Sequence, residues 1–209
     1  MPHIIAVTSE KGGVGKSTLS VHLAGAFQER GLSAVLIDED GRVGSALRWA
    51  ARGPGLPFVV LEPEQVKPRK LAQADVVVID TEGRPKRKEL RILGERADVI
   101  LVPSGVSTLE LDATAELMAF FHEDPQTRRR TRVVLGRVPP VGRAGEVARE
   151  DLRESGVTVC NTLVRSYAAY VRAAELGVLC RDVPGRGAEH LRHTQQAWAD
   201  IVTLSRELL

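Results

Sequence analysis

Short apolar runs alternate along this chain with longer stretches in which apolar residues recur at helical spacing. The runs are almost entirely apolar rather than alternating, which is typical of strands buried on both faces. They predict strands at 4–7, 34–37, 58–61, 76–79, 99–102 and 133–135. The helical pattern predicts helices near 16–30, 43–52, 86–96, 108–123, 144–154, 165–177 and 187–208.

This alternation predicts an α/β fold, because strands buried on both faces need a helical layer on each side of their sheet. We expect a mostly parallel, twisted sheet of about seven strands with helices on both faces. The loop at 52–57 contains two prolines and two glycines, which end the preceding helix. Residues 62–73 give no clear signal. No linker or internal repeat interrupts the pattern, so we expect residues 1–209 to form one domain.

Composition narrows the classes of protein to which the chain can belong. The 209 residues carry a net charge of only +2, which excludes a histone-like coat protein. The two cysteines, Cys160 and Cys180, make no disulfide framework and no structural zinc site. No apolar run approaches the roughly 18 residues of a membrane-spanning helix, and the N-terminus does not read as a signal peptide. We therefore expect a cytoplasmic protein.

The most informative segment joins the first predicted strand to the first predicted helix. In such a loop, glycines turn backbone N–H groups toward an anion, and the helix start adds its positive dipole end. Lys16 can reach the outer phosphates of a nucleotide, and the Ser17 hydroxyl can bind Mg²⁺. Glu10 precedes the residues that we expect to bind the nucleotide, which are Lys11, Gly12, Gly13, Val14, Gly15, Lys16, Ser17 and Thr18.

Carboxylates follow two of the predicted strands, at the edge where parallel sheets bind ligands. Asp38 and Asp40 share one side of the chain because side chains alternate along a strand. They indicate either active-site carboxylates or an acidic cap for the helix near residue 43. Asp80 follows four apolar residues, the pattern of an aspartate that holds Mg²⁺-bound water. Glu82 is interpreted as a surface charge, with a second catalytic carboxylate as the alternative.

The early Lys11, with Glu10 in place of the usual first glycine, makes the loop similar to the deviant Walker A motif of the ParA/MinD group of P-loop NTPases. The resemblance covers essentially the whole chain and implies ATP and Mg²⁺ as cofactors. It implies that Lys11 crosses a face-to-face dimer to the partner's nucleotide, and that Asp40 orients or activates the attacking water. Lys11, Lys16 and Asp40 are thus the expected catalytic residues.

The resemblance also implies a metal site and a base-binding site. The expected metal site consists of Ser17, Asp38 and Asp80. Many relatives carry an Asn-Arg or Asn-Lys pair after the last central strand, whereas Gly136 stands in place of the asparagine here. Arg137 and Pro139 are then expected to pack on the base, which is adenine by family membership alone. Another departure is Gly41-Arg42-Val43-Gly44, where relatives usually have Pro-Gln-Gly.

Basic residues cluster at 84–91 and at 128–132, and each run is interpreted as a solvated face or as part of a DNA-binding surface. The chain resembles short plasmid-type ParA proteins, which implies a weak Mg-dependent ATPase for plasmid or chromosome partition. Its ATP-bound homodimer would bind DNA non-specifically and associate with the nucleoid. A centromere-binding ParB-type adaptor would then stimulate hydrolysis and release the DNA.

Other functions of the same superfamily need features that can be checked in the sequence. A MinD-like ATPase acting on a membrane needs a terminal amphipathic helix with a lysine-rich polar face. The predicted helix at 187–208 has mixed charge and favours packing against the sheet, so no membrane partner is expected. An iron–sulfur carrier needs suitably placed cysteines, which Cys160 and Cys180 are not. A positioning ATPase for a cargo other than DNA stays open, because only its partner would distinguish it.

Overall fold

The computed structural model describes residues 1–209, apart from the side chain of residue 70. Seven strands form one sheet in the order β3-β2-β4-β1-β5-β6-β7, and every neighbouring pair is parallel. This confirms the predicted fold class. The strands are His3–Val7 (β1), Ala34–Asp38 (β2), Val59–Leu61 (β3), Val76–Asp80 (β4), Val99–Ser104 (β5), Thr131–Val138 (β6) and Val159–Arg165 (β7).

Helices cover both faces of this sheet. They are Lys16–Glu29 (α1), Ser45–Arg52 (α2), Pro68–Leu71 (α3), Arg87–Arg96 (α4), Thr108–His122 (α5), Pro125–Arg130 (α6), Ala144–Glu154 (α7), Ala168–Leu176 (α8) and Ala188–Glu207 (α9). Apolar side chains of α1, α2, α8 and α9 form the core on one face, and those of α4, α5 and α7 form the core on the other. Among the described helices, none has the length and apolar character needed to cross a membrane.

The strand β7 has no counterpart among the predicted apolar runs. It lies at an edge of the sheet, and exposed or half-buried residues alternate with buried ones along it. Carboxylates of α9 cover its outer edge: Glu207 accepts hydrogen bonds from the Asn161 and Thr162 backbone N–H groups at 2.7 Å each. Asp200 accepts one from the Arg165 N–H at 3.0 Å. Because β7 continues to Arg165, the helix that the sequence predicts at 165–177 begins three residues later in the structure, at Ala168.

The topology brings the chemically informative segments to one edge of the sheet. From β1 the chain passes to β2 on one side of β1, and it later returns to β5 on the other side of β1. At such a change of direction, α/β sheets have a crevice at the carboxyl ends of their strands in which ligands bind. The carboxyl end of β1 faces this crevice. Asp80 pairs in register with Val7 and with Asp38. The loop after β1 therefore lies beside the aspartates that end β2 and β4.

Candidate functional site

The loop between β1 and α1 has the open backbone of an anion-binding cradle. Gly13 and Gly15 have φ values of +76° and +93°, in the left-handed region that favours glycine. Apart from the glycine itself and its chain neighbours, no described residue has an atom within 4 Å of the position that a Cβ would occupy at Gly12, Gly13 or Gly15. Backbone conformation rather than crowding thus selects glycine at 13 and 15, and the space above the loop is free for a ligand.

Lys16, the first residue of α1, places a buried ammonium group at this cradle. Its side chain is 7% exposed, and its Nζ donates to Ser9 Oγ at 3.0 Å. Ser9 Oγ in turn donates to the Lys11 carbonyl at 2.8 Å. Burial lowers the pKa of Lys16, and the nearby Asp80 and Asp40 carboxylates oppose that change. A buried cation with one hydrogen-bond acceptor among the described residues suits a phosphate group.

Asp80 supplies a buried carboxylate beside the start of α1. Burial raises the pKa of Asp80 to about 7; the hydroxyl of Ser17 opposes the rise and the charge of Asp38 adds to it. Ser20 Oγ donates to Asp80 Oδ1 at 3.2 Å. A divalent cation would favour the ionised carboxylate, and hydroxyl and carboxylate oxygens are the ligands that Mg²⁺ prefers. Ser17 and Asp80 therefore fit the predicted magnesium site.

Asp38 is engaged by the backbone in the way that the capping interpretation predicts. Its Oδ2 accepts hydrogen bonds from the Ala46 and Leu47 N–H groups at 2.9 and 3.0 Å, in the first turn of α2. Its Oδ1 accepts from the Asp40 N–H at 3.1 Å. Asp40 is half-buried, and its Oδ1 accepts from the Val43 N–H at 2.9 Å. Both aspartates thus order the loop after β2, and their roles toward metal and water stay predictions.

Lys11 rests on its own chain rather than extending away from it. Its Nζ donates to the backbone carbonyl of Leu109, near the start of α5. Glu10, the residue in place of the usual first glycine, pairs with Arg87 at 3.3 Å between Oε1 and Nη2, where α4 begins. An approach of Lys11 to a partner's nucleotide therefore requires it to leave Leu109.

A cavity of about 430 Å³ opens beside the loop. Arg137 lines it, with a φ of +52°, and pairs with Glu110. Pro139 instead lines a separate cavity of about 440 Å³ between α7, β7 and α9, so the structure does not bring it to the loop. The main walls of the loop-side cavity are Val134, Val164, Tyr167, Tyr170, Val171, Ala174 and Ile201.

Sequence reasoning missed the residues that form this cavity between β7 and α8. Only the position of the edge strand brings them next to the loop. The one signal in the sequence is the pair Tyr167 and Tyr170 at helical spacing, just after an alternating segment.

The two basic runs contain residues bound within the fold and exposed residues, among which Arg87 also pairs with Glu10. Arg132 Nη1 donates to the Glu207 carbonyl at 2.7 Å, and Arg130 Nη1 lies 3.4 Å from the Ala97 carbonyl beyond α4. Arg128 and Arg129 are exposed on α6, as are the basic residues around the start of α4. The α4 and α6 helices approach each other at the C-terminal end of α4, where Gly94 lies against Thr127. Those basic residues at α4 are Arg84, Lys86, Arg87, Lys88 and Arg91.

Comparisons with known proteins agree with this geometry. The chain is 33% identical over 217 residues to maintenance of carboxysome distribution protein A of Gloeobacter kilaueensis, covering 99% of this chain and 94% of that protein. It is 27% identical to protein ParA of Rhizobium radiobacter, over 83% of each chain. The septum site-determining protein MinD from Pyrococcus horikoshii, complexed with Mg-ADP, has a similar fold, with a TM-score of 0.71 at 15% identity over 100% of this chain and 96% of that one.

A family model supplies the remaining finding. The model described as CobQ/CobB/MinD/ParA nucleotide binding domain matches residues 5–179, which include the loop, the aspartates and most of the cavity. Because this match spans well over half of the chain, the protein belongs to the CobQ/CobB/MinD/ParA family of nucleotide-binding proteins.

Proposed function

We propose that this protein is an ATP-dependent dimerising switch for partition, whose ATP-bound form binds DNA non-specifically. The observation that carries the nucleotide part is the buried Lys16 ammonium, set beside Asp80 and Ser17 over an open glycine loop. Bound ATP with Mg²⁺ would supply the phosphoanhydride whose slow hydrolysis resets the switch.

Each residue around the loop has a distinct task in this proposal. Lys16 and the loop N–H groups hold the phosphates, and Ser17 and Asp80 hold the metal with its water. Asp38 keeps the loop after β2 in place through its bonds to α2. Asp40 would orient the attacking water, and this role is supported by the action of its charge on Lys16.

Dimerisation would use the side of the molecule on which Lys11 lies. Lys11 donates to the neutral Leu109 carbonyl and lies near enough to Glu110 for their charges to attract, and releasing one such hydrogen bond costs on the order of 1–3 kcal/mol. Leu109 beside it is 74% exposed, so it offers apolar surface that a second copy of the chain would cover. We therefore propose a homodimer in which Lys11 turns from Leu109 to the partner's phosphates.

The DNA-binding part rests on the exposed basic residues of α4 and α6. A dimer doubles any such surface, and several simultaneous phosphate contacts give strong, sequence-independent binding that weakens with salt. We propose that this surface associates with the nucleoid, and that a ParB-type adaptor stimulates hydrolysis and releases the DNA.

A DNA-binding experiment tests the proposal directly. Binding to a random-sequence duplex is measured with ATP, with ADP and without nucleotide, across a salt series. We expect binding with ATP only, with affinity falling steeply as salt rises. Lys16→Ala is the control and should abolish both nucleotide and DNA binding. DNA binding that is equal in all three nucleotide states would contradict the switch.

A second candidate function is the positioning of a protein cargo, with DNA still serving as the track. It is favoured by the relative at 33% identity, whose name refers to carboxysome distribution. Both functions predict the same DNA binding, so the adaptor must separate them. Stimulation of ATP hydrolysis by an adaptor bound to its centromere DNA supports partition. Stimulation only by a protein that binds a cargo without DNA supports positioning.

A further inference from the structure

We propose that the cavity beside the phosphate loop holds the nucleobase by packing alone, so that the protein distinguishes ATP only weakly from GTP. This inference rests on the proposed binding of a nucleoside triphosphate at the loop. The cavity is continuous with that loop, because Gly13, Gly15 and Thr18 form part of its wall. Its volume of about 430 Å³ lies within the range of roughly 300–1,000 Å³ found for small-molecule sites.

The aromatic walls of the cavity present rings and not hydroxyl groups. Tyr170 Oη donates to the Ala197 carbonyl at 2.7 Å, and Tyr167 Oη donates to Gln196 Oε1 at 3.2 Å. Both acceptors lie on α9, behind the cavity wall. The rings can therefore pack against a base, while their polar ends are committed to the fold.

The charged side chains of the cavity wall are also engaged elsewhere. Arg165 is held by Asp200, with Nε and Oδ2 at 3.1 Å. Arg52 Nη1 donates to the Ala174 carbonyl at 3.0 Å. The remaining charged side chains of the wall are Glu175 and Arg137. Glu175 pairs with Arg172, and Arg137 pairs with Glu110. Each of these groups already has a partner in the fold, so reading the edge of a base would require it to leave that partner.

Apart from Thr18 of α1, whose hydroxyl likewise both donates and accepts, Ser166 is the remaining polar side chain of the wall, and it cannot tell the two purines apart. Its backbone N–H donates to the Val138 carbonyl at 2.7 Å, and no partner of its hydroxyl is found among the described residues. A hydroxyl both donates and accepts, so it can pair with the 6-amino group of adenine or with the 6-oxo group of guanine. The side chains of the wall therefore offer shape and apolar contact without a code for the base.

Gly136 leaves open the position from which a side chain could supply such a code. A Cβ at Gly136 would lie 3.9 Å from the Ser104 carbonyl oxygen, which is ordinary contact, so a side chain fits there without displacing a neighbour. An asparagine amide pairs bidentately with adenine but cannot pair in the same way with guanine. Sites that hydrogen-bond their substrate reject analogues by about 10⁴-fold or more, whereas apolar pockets discriminate by about 100-fold or less.

The first test compares three probes on the full chain with Mg²⁺: ATP, GTP and inorganic tripolyphosphate, each measured by calorimetry. We expect ATP and GTP to bind within about a hundredfold of each other, and both to bind at least about tenfold more tightly than tripolyphosphate. A larger preference for ATP would overturn the inference, as would equal binding of all three probes. Absence of binding by every probe would instead refute the nucleotide-binding function itself, and this inference with it.

The second test uses two variants at one position. Gly136→Asn should raise the preference for ATP over GTP at least about tenfold, and Gly136→Ala should leave it unchanged. Circular dichroism and unfolding curves check that both variants fold. An equal effect of the two variants on base preference would mean that the base lies away from Gly136, and it would overturn the proposed binding mode.

Discussion

His22 should make the stability of this protein sensitive to mildly acidic pH. It lies in α1, is fully buried, and packs edge-on against Trp49 and Tyr170 with ring centroids 5.4 and 5.0 Å away. Its Nδ1–H donates to the Thr18 carbonyl at 2.6 Å, and its Nε2 accepts from the Cys180 N–H at 3.0 Å. Both ring nitrogens are thus used by a neutral imidazole. Burial lowers the pKa of His22 to about 4, against the opposing hydrogen bond to Thr18.

The sign and size of the effect follow from proton linkage. An unfolded histidine titrates near pH 6.5, so between pH 6.5 and about 4 the unfolded chain binds a proton that the folded chain does not. The stability that His22 contributes is therefore complete above pH 6.5 and is lost as the pH falls toward 4. Between pH 7.5 and 4.5 the loss amounts to about 2.5 kcal/mol.

Asp80 acts in the opposite direction and must be removed to expose this effect. Its pKa rises from 3.8 to about 7 on folding, so the folded chain takes up a proton first as the pH falls. This stabilises the fold by about 3 kcal/mol over the same pH range, which hides the contribution of His22. The measurement therefore belongs in the Asp80→Asn background, without nucleotide.

The assay is urea-induced unfolding at pH 7.5 and 4.5. Asp80→Asn should lose about 2.5 kcal/mol more than Asp80→Asn/His22→Gln over this range, because only the first carries the imidazole. Equal losses would refute the reasoning. Should the double variant fail to fold, NMR of the imidazole in Asp80→Asn gives an independent answer. The ring should carry its proton on Nδ1 and stay neutral to about pH 5, and titration near 6.5 would contradict the buried, neutral state.

Four further substitutions have expected outcomes. Asp40→Ala should bind ATP and accumulate as an ATP-bound dimer in gel filtration; normal turnover would remove Asp40 from the reaction. Gly177→Ala should destabilise the fold by more than about 3 kcal/mol in urea, because its φ is +69° and its Cβ would lie 2.3 Å from the Gly53 nitrogen. Arg132→Ala should lower stability by about 1–3 kcal/mol through its lost bond at the end of α9, whereas Arg128→Ala should weaken DNA binding alone. Equal stability losses for the two arginines would contradict this division.

Most strands could be predicted because they read as apolar runs, and this includes the exposed edge strand β3. β1, β2, β4 and β5 are buried on both faces and appear in the sequence as plain apolar runs. β7 is an edge strand, so exposed and half-buried residues interrupt its apolar pattern and no run reveals it. The short helix α6 was hidden in the same way, because the sequence Pro125–Arg130 is mostly polar and only Thr127 is buried.

The candidate site divides along similar lines. The loop and Asp80 could be found from the sequence because neighbouring residues mark each of them. Glycines mark the loop, and an apolar run precedes the aspartate. For Asp38 the sequence left two interpretations, an active-site carboxylate or a helix cap. The hydrogen bonds that Asp38 accepts from the Ala46 and Leu47 N–H groups are those of a cap. Arg137 was predicted to pack on the base, and it lines the cavity beside the loop. Pro139 carried the same prediction but lines a different cavity.

The sequence by itself determined most of the sheet-forming runs and the glycine-rich loop after β1, because each depends on residues close together in the chain. The tertiary structure decided which polar groups are already used. Arg132 reads as part of a basic run, yet it binds the carbonyl of Glu207, 75 residues away. Cys180 donates to His22 across 158 residues. Such pairings arise only when the helices pack on the sheet, and they determine which charges remain free for a nucleotide or for DNA.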